Sequence, residues 1–576
     1  MTVVTGYAFA INNFTSISFP STLKEIQQGA FASNAWLESV SFQEGLLSIG
    51  ENAFDTCPNL LSLDFPSTLQ TIQSCAFRDG YYISNISCSA IEPPTVLAGA
   101  FNGVAKDNFA LQVPEQSIIR YQTENGWSDF RRIVAHYDFS IGRTRLRLLN
   151  KGESRTYTLR CPSGNAWSIE SKPDWISVSP SSGTGKTDVT ITVSDMARTN
   201  DTFEVNEGSF QYPSYKNYAG RAGSVVFALD GKDYTCELKV EQYDCDYVDG
   251  QPITLQSASR GSGIDIVFIG EGFDAKDIAD GKFTTAAETG AGHFFNVEPY
   301  TSYSDYFNVY SVITKSDDSG IEDVNTVVDN KFSSVDACFQ WARKAKTGIN
   351  FSRSVVIMLH NNPAYYGWTY MYADGSALAV VPVSEQAYPR DFRGLIQHEA
   401  GGHAFGKLAD EYIYHNAFIT SCGCPCCDHP SGEYDLRSQY GLFKSLGWFK
   451  NLSMISDHHR VPWAHLIYHP SYSNRVDMYE GAYMHTRGIY RSEVTSCMNN
   501  NIPYFSAISR QAIVERIKHY AGEFFTLADF YANDSFAVGT KAAAQDFDWT
   551  FGVDPNWHDG PEHGSIIFMG EKPNLD

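Results

Sequence analysis

Gln397-His398-Glu399-Ala400-Gly401-Gly402-His403-Ala404-Phe405-Gly406-Lys407-Leu408-Ala409-Asp410-Glu411-Tyr412 is the stretch on which the reading of the chain depends. Two imidazoles flank a carboxylate and two further acids close the run. A catalytic zinc and its general base require these residue types: histidine and carboxylate ligands, and a second carboxylate to accept a proton from water. The spacing is HExxxH rather than the HExxH that puts both imidazoles on one helix face. On a regular helix five residues turn through about 500°, which leaves His403 about 140° away from His398. A π-type bulge corrects the mismatch, because i→i+5 bonding brings residues five apart back together. Gly401 and Gly402 stand where the bulge is needed, and such a pair relieves crowding in a distorted turn. Gly406 can end the helix and turn the chain back, so that an acid beyond it becomes the third ligand. Asp410 is the first choice and Glu411 the second.

The flanking sequence supports a cleft built on a sheet. Val355 to Leu359 reads as a buried strand and Ala377 to Val383 as a second one beside the cleft. Phe283 to Phe295 and Ser334 to Lys346 read as helices, giving an α+β arrangement before the His-Glu-His stretch. Thr495-Ser496-Cys497-Met498-Asn499-Asn500 precedes an amphipathic run from Ser506 to Tyr520. It resembles the methionine turn that lies under the metal in metzincins.

From about Gly250 to Thr526 the chain resembles the IgA-peptidase-like zinc metallopeptidases, a metzincin-related family. The residues that carry the resemblance are Asp265 to Phe273, Glu298-Pro299-Tyr300 and Tyr306 to Tyr310. They continue through the His398 to Tyr412 run to Tyr479 to Ala482, Arg487 to Arg491 and Cys497-Met498. The resemblance implies His398 and His403 as Zn2+ ligands and Glu399 as the base. The departure from the family pattern is the extra residue between the histidines. In the peptide hydrolysis so implied, Tyr490 and Tyr504 are candidates for the oxyanion donor, and the strand Ala377 to Val383 is expected to receive substrate as an added strand.

Ahead of this segment the chain changes character twice. Ala-Phe recurs at Phe9, Phe31, Phe54, Phe77 and Phe101, at spacings of 22, 23, 23 and 24 residues. A period in the low twenties predicts a leucine-rich solenoid whose coils bury their apolar faces against each other. It resembles the leucine-rich repeats of bacterial surface antigens. Either a concave binding surface or a spacer follows from it. Met1 falls inside a repeat, so a longer precursor with a signal sequence is expected. From about Tyr137 to Tyr243 short alternating runs separated by turn clusters predict a β-sandwich. Trp167, Pro173-Asp174-Trp175-Ile176, Pro180 to Gly183 and Val240-Glu241-Gln242 resemble BACON domains, which implies carbohydrate contact through this domain. Trp175 is either core or a platform for a sugar.

The expected order is therefore a solenoid over 1–135, an Ig-like β-sandwich over 136–245, and an α+β metzincin-like zinc peptidase domain over 246–576. The last includes irregular lip loops from Ile413 to Ile489 and a strand-bearing tail from Asp529. A net charge of −23 with only 43 basic residues excludes a nucleic-acid or anionic-membrane partner. No run of eighteen apolar residues spans a membrane. Twelve cysteines include the run Cys422 to Cys427, which reads as disulfides, one reaching Cys497, or as a weak second metal site. The functional expectation is a secreted or surface-attached, monomeric zinc endopeptidase acting on protein or glycoprotein. The alternative is a surface adhesin with an inert zinc domain.

Overall fold

The computed structural model describes residues 2–12, 14–208, 213–232, 234–321, 331–386, 391–413, 437–536, 566–570 and 572. The Cys422 to Cys427 run and most of the tail lie outside the described residues. The described chain divides into two compact units. The first comprises Met1–Leu146, Glu153–Ser194 and Asn200–Val240; the second comprises Arg147–Gly152, Asp195–Thr199 and Glu241–Asp576.

In the first unit the repeat becomes a stack. The two-residue strands Val3–Val4, Glu25–Ile26, Ser48–Ile49, Thr71–Ile72 and Thr95–Val96 pair in parallel, with Ile26, Ile49 and Ile72 in register. A second parallel ladder runs through Ser62–Phe65, Asn85–Cys88, Leu111–Pro114 and Ile133–His136. The Ala-Phe phrase produces a ladder of rings: Phe9, Phe31, Phe54, Phe77 and Phe101 stack at centroid separations of 5.3, 5.2, 5.4 and 5.8 Å. Each ring covers the apolar face of the coil before it, as repeats too small to bury their own core require. Trp127 closes this core, fully buried, its indole N–H donating to the Pro94 carbonyl at 2.8 Å.

The same unit holds antiparallel strands. Ser154–Arg160 pairs with Thr187–Val193 and that strand with Ile176–Ser179, while Tyr215–Leu229 pairs with Ala166–Ser171. Alternation places Leu159, Val189, Ile191, Phe227 and Trp167 inside, all fully buried. Trp175 is half-buried and carries the Arg221 guanidinium over its ring at 4.4 Å, so that face packs against protein.

The second unit is built on a seven-stranded sheet. Its strands are β1 (Pro252–Gln256), β2 (Ile264–Glu271), β3 (Phe307–Val312), β4 (Val355–His360), β5 (Trp368–Met371), β6 (Ala377–Pro382) and the short Ile567–Phe568. The order is β1-β3-β2-β4-β6-β5, then Ile567–Phe568. Strands β2, β4 and β6 are parallel neighbours, buried at every residue, which is why they read as unbroken apolar runs. Helix α1 (Lys282–Phe295) and α2 (Val335–Ala342) fall where the helical periodicity puts them, and α3 (Ala507–Ala521) matches the amphipathic run. One expectation fails: β6 lies between β4 and β5, both edges already hydrogen-bonded, so it cannot receive a substrate strand. The antiparallel β5 is the strand on its outer side. The region from 437 to 491 is also more regular than expected. It holds the helix Arg437–Ser445 and a three-stranded sheet of Leu452–Ser453, His485–Arg491 and Tyr479–Ala482. In the tail, Leu527–Asn533 is helical.

All eight described cysteines are free thiols, Cys497 among them. No helix among the described residues is long and apolar enough to cross a membrane.

Candidate metal centre

A short α-helical turn, Phe392–Leu395, continues without a break into a π-helix, Ile396–Phe405, all ten residues of which are buried. The distortion expected as one bulge is thus ten residues long. Its i→i+5 bonding persists to the end, where the Gly406 amide donates to the Gly401 carbonyl at 2.9 Å. The glycines answer to packing. A Cβ on Gly402 would lie 2.2 Å from the Met498 sulfur, and one on Gly401 would lie 3.2 Å from the Tyr300 ring. Tyr300 also donates its hydroxyl to the Gly401 carbonyl at 2.6 Å. The turn beyond the helix is one residue later than expected. Lys407, with φ 55°, is the left-handed residue, and Gly406 is required because a Cβ there would sit 2.8 Å from the Gly402 carbonyl.

The π-helix brings the histidines together. His398 Nε2 and His403 Nε2 are 3.0 Å apart, and Asp410 Oδ1 lies 3.0 Å from the first and 3.1 Å from the second. Among the described residues, His398, His403 and Asp410 are the group whose donor atoms could hold a metal ion. Backbone carbonyls fix the tautomers: His398 Nδ1 faces Cys497 O at 3.0 Å and His403 Nδ1 faces Leu408 O at 2.8 Å. A carbonyl oxygen only accepts, so each Nδ1 carries the proton and each Nε2 points a lone pair at the other donors. Two lone pairs and a carboxylate converging at a buried site repel one another without a cation. Tetrahedral ligands at about 2.0–2.1 Å from zinc stand about 3.3 Å apart, close to the separations here, so the donor set fits that ion.

The alternative acid is spent elsewhere. Glu411 accepts the Ser496 hydroxyl at 2.6 Å and the Asn451 amide at 2.9 Å. Burial pushes its carboxyl up to about 7. Glu399, between the histidines, is fully buried and accepts the Thr369 hydroxyl on Oε2 at 2.7 Å. Its Oε1 has no partner among the described residues. Burial raises its carboxyl to about 8.

Met498 follows Ser496, whose hydroxyl caps the short helix Cys497–Asn500 by accepting the Met498 amide at 3.1 Å. This segment touches the centre three times: through Cys497 O on His398, Met498 O on the Glu411 amide at 2.8 Å, and the Met498 sulfur under Gly402. Neither tyrosine proposed from sequence is placed as an oxyanion donor. Tyr504 is buried with its hydroxyl donated to Glu493 at 2.6 Å, and Tyr490 packs against the apolar cluster around Trp463. The Tyr412 ring stacks with its centroid 6.5 Å from that of His398. Thr369 and the carbonyls of Leu408 and Cys497 escaped sequence reasoning. A strand threonine and two backbone oxygens carry no spacing signal.

Residues 2–112 match the model described as BspA type leucine-rich repeat region, in six copies, and residues 165–205 match BACON, a putative binding domain. Residues 253–421 match IgA Peptidase M64. No curated protein matches the chain. Among solved structures, a Bacteroides ovatus GH5 xyloglucanase in complex with a XXXG heptasaccharide aligns at 17% identity. That alignment covers 38% of this chain and 45% of that one, with a TM-score of 0.14, too low to bear on fold or function. The chain spans less than half of that structure's length. Along its sequence the protein therefore carries, in order, a BspA-type leucine-rich repeat region, a BACON domain and an IgA peptidase M64 domain.

Proposed function

We propose that this protein is a zinc-dependent endopeptidase, secreted or held at a cell surface, that hydrolyses peptide bonds in protein or glycoprotein substrates. The observation that carries the reading is the convergence of His398 Nε2, His403 Nε2 and Asp410 Oδ1 within 3.1 Å of one another, beside a buried glutamate. His398, His403 and Asp410 would hold the ion, and zinc bound there would supply Lewis acidity toward a carbonyl oxygen and toward water.

The chain's own residues perform the rest. Cys497 O and Leu408 O hold the two imidazoles in the tautomer that presents Nε2. Glu399 is the proton carrier: it takes the proton of the attacking water and returns it to the leaving amine. Thr369 pins Oε2, which leaves Oε1 as the oxygen free to exchange that proton. Burial raises the Glu399 carboxyl to about 8, which favours the neutral form that donates in the second half of that cycle, and a cation held by the adjacent ligands would favour the ionised form that the first half needs. The π-helix supports this reading over an inert adhesin, because it removes the spacing objection that favoured the adhesin. Glu399→Gln tests it: metal content should stay at the wild-type level while cleavage of a peptide library falls by about 10³-fold or more. Wild-type cleavage rates in that variant would overturn the assignment.

A further inference from the structure

The outermost strand of the seven-stranded sheet comes from the far end of the chain. Ile567–Phe568 pairs in parallel with the outer edge of β5, Tyr370 beside Ile567 and Met371 beside Phe568. The Met569 amide donates to the Met371 carbonyl at 2.9 Å, and the Ala373 amide to the Gly570 carbonyl at 2.8 Å. Side chains add to the hold. Ile566 is buried, the Phe568 ring stands edge-on to Phe443 at 5.3 Å, and Lys572 Nζ lies 3.8 and 4.5 Å from the ring centroids of Phe339 and Phe351. The pairing itself is short, and Ile567 and Met569 are exposed.

β5 is also the strand that touches Glu399. Thr369 donates its hydroxyl to Glu399 Oε2 at 2.7 Å. Gly367, two residues earlier on the same face, comes so close that a Cβ there would lie 3.1 Å from Glu399 Cγ and 3.5 Å from Oε1. Tyr366 and Trp368, between and before them, point the other way into the apolar core. A backbone laid along the outer edge of β5 therefore runs beside Glu399. Such an edge offers amides and carbonyls to any extended chain, and strand addition is a general way of holding a peptide. The segment seated there shows that this edge accepts one. We propose that residues 566–570 are a built-in competitor, holding the β5 edge on which the extended backbone of a substrate docks, so that displacing them strengthens substrate binding. This rests on the peptidase reading. A competitor lowers the fraction of molecules with a free edge and leaves the chemical step alone, so its signature is in KM and not in kcat.

The test breaks the pairing in the full chain. Met569→Pro removes the amide that donates to Met371, and Lys572→Ala removes the side chain lodged on Phe339 and Phe351. In protein stripped of metal with chelator, so that nothing is cleaved, hydrogen exchange at the Ala373 amide should be at least about threefold faster in Met569→Pro than in the wild type. Excess synthetic peptide of residues 564–572 should slow it again. In the zinc-loaded protein, both variants should lower KM for an extended peptide by about threefold or more at unchanged kcat, and the synthetic peptide should compete with that substrate. Exchange that the added peptide leaves fast, or KM unchanged in both variants, would overturn the proposal. Failure of the peptidase reading shows separately, as zero turnover in wild type and variants alike, with the exchange result still deciding whether the edge takes a peptide.

Discussion

Gly402→Ala is the smallest change that sets the methionine turn against the metal helix. The added Cβ would sit 2.2 Å from the Met498 sulfur and 2.9 Å from its methyl, with the Phe505 ring at 3.5 Å behind them. Met498 is fully buried, so its end cannot swing into solvent. Overpacking of this kind costs about 1–3 kcal/mol, and replacing a helical glycine by alanine returns up to about 1 kcal/mol. The net expectation is a loss of up to about 2 kcal/mol, accompanied by weaker metal retention because residue 402 precedes His403. The cause can be isolated with a double-mutant cycle. Met498→Ala alone should cost about 2–5 kcal/mol, and in that background Gly402→Ala should cost nothing or stabilise, giving a coupling of about 1–3 kcal/mol. Chemical denaturation of the four proteins, with metal content measured on each, is the assay. Additive effects, or a Gly402→Ala protein more stable than wild type with full metal, would refute the claim that Met498 dictates this glycine.

Two further outcomes follow from the same geometry. Asp410→Asn should strip the metal, whereas Glu411→Gln should keep it and lower stability by about 1–3 kcal/mol through the hydrogen bonds on Ser496 and Asn451, as metal analysis and melting curves would show. His360, fully buried on β4, is held at about 3 by desolvation, so its charged form exists only in the unfolded chain between that value and about 6.5. The unfolded chain then binds the extra proton, and stability falls as pH drops below 6.5, by about 2 kcal/mol at pH 5. His360→Asn should flatten the decline of Tm between pH 8 and pH 5, and an identical decline in the variant would contradict it.

Much of this architecture is legible because it is periodic. The Ala-Phe phrase every 22 to 24 residues is visible as text and becomes a stack of rings. The buried runs of β2 and β4 announce central parallel strands. The i+5 spacing of His398 and His403 is decisive as well, since sharing one ion demands a π-helix and a π-helix is present. What the residues could not tell was anything set by contacts distant in sequence. Gly401 and Gly402 read as relief for a strained turn, but their neighbours are Tyr300 and Met498, about a hundred residues away on either side. Asp410 is the first choice from spacing alone, but the hydrogen bonds that hold Glu411 on Ser496 and Asn451 are contacts distant in sequence. Strand β6 was placed at the cleft edge because sequence order does not reveal that the chain returns antiparallel as β5 on its outer side.

The central claim is that the widened histidine pair still holds one ion. Elemental analysis of the purified chain, beside His403→Ala, tests it directly. The geometry predicts about one zinc per chain in the wild type and none in the variant, with the wild-type zinc removable by chelator. Zinc absent from both proteins, or equal in both, would contradict it.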